Sequence, residues 1–194
     1  MNFAIPPPLE IKCTTSDCES DRHCFKAARG MTPAQRGRCR SCGADLIDWP
    51  RVQQRDISDA EHTFEMLQLE FIRHHFFHEE IDEGALKHAR RKGWKGLRTA
   101  IRSRLERYLA PADLPRDGRQ TPFAGNAIFY AQHATACCCR TCLAYWHGIP
   151  KGRALTSDEI DYCESLVEQF LHLRLPDLGE EGQKIPAARK ARSR

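Results

Sequence analysis

No run of the 194-residue sequence approaches the ~18 consecutive apolar residues that a membrane span requires. The opening residues, MNFAIPPPLEIK, lack the basic-then-apolar build of a secretory leader, so a cytoplasmic protein away from membranes is expected. There is no Walker loop, no G-x-G-x-x-G and no internal repeat, which sets aside phosphate-loop and dinucleotide-binding folds and solenoids. With 41% apolar and 29% charged residues and a mean hydropathy of −0.60, the chain can bury one modest core. Its 22.2 kDa suit one domain or two small modules.

What the sequence does have is ten cysteines and nine histidines. Ten is even, yet a disulfide framework belongs mainly to small secreted chains with poor cores. Here five cysteines lie between Cys13 and Cys42, four between Cys137 and Cys142, and Cys163 stands apart. Adjacent cysteines such as Cys137, Cys138 and Cys139 rarely find disulfide partners at the right separation. Tight clusters with C-x-x-C suit a tetrahedral zinc ion, which takes thiolates at ~2.3 Å. Two zinc ions are expected.

In the first cluster, Cys39-x-x-Cys42 followed by Gly43 has the shape of a zinc knuckle, the glycine relieving the turn so that backbone N–H groups can face the sulfurs. The other half of the site comes from Cys13, Cys18, His23 and Cys24. Cys13 with Cys18 is the simplest pair, and Cys24 a substitute, so four of Cys13, Cys18, Cys24, Cys39 and Cys42 are expected to bind. Arg36, Arg38 and Arg40 flank the knuckle as a phosphate-contacting or merely solvated face.

From Asp59 to about Lys92 the apolar pattern is helical, with Phe64, Leu67, Phe71, His74, His78, Ile81 and Ala85 on one face. Glu70, His74 and His78 stack at steps of four, and Glu79 follows. Either the histidines pack in the core, the preferred reading, or Glu70, His74, His78 and Glu79 supply ligands and a general base to a catalytic metal. A second helix is expected from Gly96 to Leu109, burying Leu97, Ile101, Leu105 and Leu109. Residues 56–83 carry nine acids and one base, residues 86–107 nine bases and one acid. Arg91, Lys95, Arg98 and Arg102 can form a stripe for a phosphate backbone or pair with acids of the same chain.

Residues 110–125 read as a Pro- and Gly-rich loop, followed by a short strand from Ala127 to Ala131. Cys139-x-x-Cys142-x4-His147 matches three ligands of a knuckle whose fourth position falls on Gly152, which cannot bind. His133 is the replacement and Cys138 can stand in for Cys139, so His133, Cys138, Cys139, Cys142 and His147 are the candidate ligands. Four ligands would make this zinc structural, three would leave a catalytic position open. Arg140, Lys151 and Arg153 lie beside Tyr145 and Trp146, as a nucleobase-stacking surface or, preferably, with Trp146 as a core plug. Thr156 with Glu159 forms a capping box for a helix burying Ile160, Cys163, Leu166, Val167, Phe170 and Leu171.

The motifs D-G-R-Q-T-P-F-A-G, A-Q-H-A-T, C-C-R-T-C-L and W-H-G-I-P-K-G-R resemble an uncharacterised bacterial and phage family, a domain of unknown function with a QTP…AQHAT…CCR-x-CL…WH-x-IP-x-G core. The likeness spans roughly residues 96–175. It implies that His133, Cys138, Cys139, Arg140, Cys142, Trp146 and His147 stand at signature positions, and that Cys137, where the family has a small hydroxyl residue, is not a required ligand. The family's presence in phage and mobile DNA favours nucleic-acid business by association.

The expectation is therefore a mostly α protein with small zinc-stabilised β elements. Residues 1–55 form a zinc-ribbon-like module, 56–110 a helical segment with acidic then basic halves, 111–176 a second zinc module ending in a helix, and 177–194 a basic, disordered tail. Its expected role is zinc-dependent nucleic-acid binding, DNA or RNA, through Arg91, Lys95, Arg98, Arg102, Arg140, Lys151 and Arg153. A metal-dependent nuclease or hydrolase and a protein-interaction adaptor are the rivals.

Overall fold

A computed structural model describes residues 11–115 and 117–185 of the chain. Helix dominates it. The elements are α1 (Trp49–Val52), α2 (Ala60–Gln68), α3 (Phe71–His78), α4 (Glu83–Tyr108), α5 (Ala127–Ala134), α6 (Arg140–Trp146) and α7 (Ser157–Arg174). Among the described residues the only β pairings are isolated bridges, Asp17 with Arg22 and His23 with Glu70, so no ribbon hairpin accompanies the N-terminal cysteines.

The helix expected from Asp59 to Lys92 is three helices. Glu70 breaks the first join: its φ/ψ of −91°/127° is extended because the His23 backbone docks there. His23 N donates to Leu69 O at 2.8 Å, and Phe71 N donates to His23 O at 2.8 Å. A contact remote in sequence thus overrides local helical propensity. The break rotates α3, which buries Ile72, Arg73 and Phe76; His74 is only half-buried and His78 is exposed. Asp82 makes the second break. Its Oδ1 caps α4 by accepting from Ala85 N at 2.9 Å, and its Oδ2 accepts from Gly125 N at 2.8 Å, pinning the loop before α5.

The basic helix begins at Glu83 rather than Gly96, and it kinks at Gly93, whose φ of 61° and ψ of 178° leave the helical region. A kink orphans the N–H groups that follow it. They are satisfied from the C-terminal segment: Trp94 N donates to Gly179 O at 3.0 Å and Lys95 N to Glu180 O at 3.1 Å, while Gln183 N donates back to Arg90 O at 2.8 Å. Residues 177–185, expected as part of a disordered tail, are thereby fixed along α4; residues 186–194 lie outside the described residues. Beyond the kink, Leu97, Ile101, Leu105 and Leu109 are fully buried as their spacing predicts, each contributing roughly 1.5–3 kcal/mol of apolar burial.

The stretch expected as a strand at Ala127–Ala131 is helix α5. Asn126 caps it, accepting from Ile128 N at 3.0 Å, and its small residues Ala127, Ala131 and Ala134 are completely buried. Being apolar nearly all round, α5 carries neither a strand's nor a surface helix's period, and it lies at the centre, against α3, α4 and α7. Helix α7 has the predicted capping box, Thr156 with Glu159, and buries its predicted face, Cys163 included.

Candidate metal centres

The first centre assembles in the irregular N-terminal segment. Gly43, at φ 78°, closes the turn of Cys39-x-x-Cys42, with Gly43 N donating to Cys39 O at 2.8 Å. The bridge to Glu70 fixes His23 beside it. Ligand atoms of Cys18, His23, Cys39 and Cys42 all lie within 4.8 Å of one another. Cys18 Sγ is 3.7 Å from Cys39 Sγ, and Cys42 Sγ is 3.5 Å from His23 Nδ1. Two sulfurs bound tetrahedrally at ~2.3 Å stand about 3.8 Å apart, so this group could hold a metal ion. Burial pushes the Cys39 thiol up, but backbone groups of Cys24, Cys42 and Ser41, with His23, outweigh it and hold the pKa at about 6. Burial, with Cys42 and Cys39 alongside, pushes Cys18 up to about 12.

Of the five cysteines expected to share this site, Cys13 and Cys24 are not in the group. Cys24 is fully buried and donates through Sγ to Cys13 O at 3.5 Å; burial, with Glu70 nearby, raises its thiol to about 11. His23 takes the fourth place. Only the docking of the segment against Leu69 and Phe71 selects it, since its sequence spacing to the knuckle is no better than that of Cys24.

The second centre sits at the start of α6. Cys139 is the N-cap, its Sγ accepting from Cys142 N at 3.4 Å, and Cys138, Cys139 and Cys142 bring their sulfurs within 4.8 Å of one another, all buried. Arg73 reaches them from α3. Its guanidinium donates to Cys142 Sγ at 3.1 Å, to Cys138 Sγ at 3.6 Å, to Tyr145 Oη at 3.2 Å and to His133 O at 2.5 Å. Hydrogen bonds from Cys138 and Cys139, then the Arg73 charge, hold the Cys142 thiol well below the usual range against the cost of burial. Cys138 is correspondingly raised by its bonds to Cys139 and Cys142.

Arg73 is paired in turn with Glu70, Nε to Oε2 at 3.0 Å, both side chains completely buried. Glu70 also accepts from Trp146 Nε1 at 2.7 Å, Tyr145 Oη at 2.9 Å and Phe25 N at 3.3 Å. So Glu70, expected as a catalytic candidate, is a saturated structural carboxylate joining the N-terminal segment, α3 and α6. Trp146, fully buried against Phe25 and Trp49 with ring centroids 6.0 and 5.1 Å away, is the core plug.

The two histidines expected here fare differently. His147 uses both ring nitrogens, Nε2 with Thr135 O at 2.9 Å and Nδ1 with Tyr162 Oη at 3.1 Å, and stands outside the thiol group. His133 donates from Nε2 to Thr121 O at 3.1 Å and Pro122 O at 3.2 Å, while its buried Nδ1 has no partner. Burial and the Arg73 charge keep this ring neutral, with a pKa of about 4. His133, Cys138, Cys139 and Cys13 line one cavity of about 190 Å³.

His74 and His78 stack on each other with centroids 4.1 Å apart, and His78 Nδ1 is bonded to His74 O at 2.8 Å. Glu79 is exposed and lies 3.7 Å from His75. Among the described residues none of these joins a group that could hold a metal.

The basic stripe is paired within the chain. Arg98 forks onto Glu180 at 3.1 and 3.2 Å, Lys95 meets Glu181 at 3.6 Å, and Arg102 bonds Glu106 at 2.8 Å, Glu164 at 2.9 Å and Asp161. Lys151 pairs with Asp117, and Arg153 with Glu159 at 2.5 Å. Arg140 is buried, donating to Leu109 O, Pro150 O and Arg153 O, and so braces the loops around α6. Arg91 is exposed. No helix among the described residues is long and apolar enough to cross a membrane.

A family model for a domain of unknown function, DUF4186, matches residues 61–172, more than half of the chain, and the protein belongs to that family. The matched span holds Glu70, Arg73 and the second centre, whereas Cys18, His23, Cys39 and Cys42 precede it. No solved structure matches the chain.

Proposed function

We propose that this DUF4186 member is a zinc-binding protein whose first centre organises its N-terminal segment and whose second lies in the helical domain, both structural rather than turning over a substrate. The observation that carries the reading is the meeting of Cys18, His23 and the Cys39-x-x-Cys42 turn, whose four donors lie within 4.8 Å of one another. Three sulfurs and an imidazole nitrogen are the donor set of a closed tetrahedral zinc site, and a site with four protein ligands contributes folding energy. The segment from residue 11 to residue 48 has few regular elements and little core of its own, which is the situation in which a metal replaces apolar burial. Cys138, Cys139 and Cys142, with Arg73 balancing their charge, support a second zinc.

Nucleic-acid binding, the role expected from the Arg/Lys stripe, draws no support from it. A cation already forked onto a carboxylate must break that pair before it can neutralise a phosphate. Metal-dependent hydrolysis has one observation in its favour, the partnerless Nδ1 of His133 beside three thiols and a cavity.

Elemental analysis of the purified chain tests the reading. Two zinc ions per chain are expected, with Cys39→Ser and Cys142→Ser each losing one and lowering the unfolding temperature. Full metal content in both variants would end it.

A further inference from the structure

We propose that Cys13 is the fourth ligand of the second centre, so that the segment ahead of the family-matched domain closes a metal site inside it. This rests on the zinc-binding reading above.

Three observations carry it. The first centre is complete without Cys13, since Cys18, His23, Cys39 and Cys42 supply four donors. Cys13 instead lines the cavity of about 190 Å³ whose wall includes Cys138 and Cys139. It also sits in a tight turn, closed by Thr15 N donating to Lys12 O at 3.1 Å and by Lys12 N donating to Thr15 Oγ1 at 3.0 Å. Its own carbonyl is held by the buried Cys24 thiol.

His133 is the rival donor on the same wall. Its ring is clamped, with two carbonyls on Nε2 and with Phe76 and Phe123 against its faces at centroid distances of 4.6 and 4.7 Å. Neither His133 nor Cys13 lies within the 4.8 Å thiol group, so either must approach it; the His133 ring is held on a helix by those contacts, whereas Cys13 stands on no helix or strand.

The assignment gives the N-terminal segment ligands in both centres, Cys13 in the second and Cys18, His23, Cys39 and Cys42 in the first. The cavity becomes the place where the segment plugs the domain, not a substrate site.

The test is thiol alkylation of the zinc-loaded full-length chain, read peptide by peptide by mass spectrometry. Cys13 is expected to be protected in the wild type. In Cys142→Ser it becomes reactive while Cys18, Cys39 and Cys42 stay protected; in Cys39→Ser it stays protected. Cys13 freely alkylated in the two-zinc wild type overturns the proposal, and so does protection lost in Cys39→Ser but kept in Cys142→Ser, which places Cys13 in the first centre. If Cys142→Ser fails to fold, X-ray absorption of the wild type decides: an average of about three and a half sulfurs per zinc is expected, and about three, with histidine scattering reduced in His133→Ala, overturns it. A wild type that holds no zinc refutes the zinc reading itself, a result distinct from two zinc ions with Cys13 free.

Discussion

The Arg73 guanidinium stands 3.1 Å from the Cys142 sulfur while its Nε holds Glu70, so a single buried cation links a thiol cluster to a buried carboxylate. Removing one member of a buried pair leaves the other's charge uncompensated at full desolvation cost, whereas replacing both by apolar or neutral groups is often mild.

Arg73→Met is therefore expected to destabilise the protein by about 3–5 kcal/mol in urea unfolding. The double variant Glu70→Gln/Arg73→Met should recover part of that loss, because no unpaired carboxylate remains. A single variant within about 1 kcal/mol of wild type would show that the pair is not coupled to the fold.

Gly93 answers to a different force. A Cβ there would sit 2.5 Å from Glu180 O, and the positive φ is strained for any other residue. Gly93→Ala should cost more than about 1 kcal/mol and free the segment that fills the kink. Limited proteolysis reads this directly, as faster cleavage within residues 177–185. Gly182→Ala, whose Cβ would fall 2.1 Å from Arg91 O, should behave alike.

His74 on α3 sets a pH dependence. Burial, then the charges of His78, Arg22 and His75, lower the His74 pKa from 6.5 to about 4. A folded-state value below the unfolded one means that the native state binds fewer protons across that interval. Its stability is whole above pH 6.5 and declines as pH falls from 6.5 through about 4. In His74→Gln the decline should be shallower than in the wild type, by chemical denaturation at matched pH. His74→Ala/His78→Ala should keep the wild-type metal content at neutral pH, since neither ring belongs to a metal group; loss of a metal ion would restore the catalytic-site expectation.

What could be seen in the sequence was what neighbouring residues decide between themselves. The capped face of α7, the apolar spacing of Leu97, Ile101, Leu105 and Leu109, and the turns of Cys39-x-x-Cys42 and Cys139-x-x-Cys142 depend on residues within a turn or two of one another, and all stand in the structure as their spacing predicts. The rest was decided by contacts between distant segments. Glu70 is extended, and α3 turned so that Arg73 rather than His74 faces inward, because the backbone of His23 docks there. Helix α5 hides its period because three helices cover it. Arg98 and Arg102 of the stripe are paired by Glu180, Asp161 and Glu164, residues that approach them only when α7 and the segment after it fold back along α4. Local sequence determined which residues could bind a metal; only the packing of the N-terminal segment on α3 and α6 decided which of them meet, because a ligand set is a matter of position in space, which spacing along the chain does not encode.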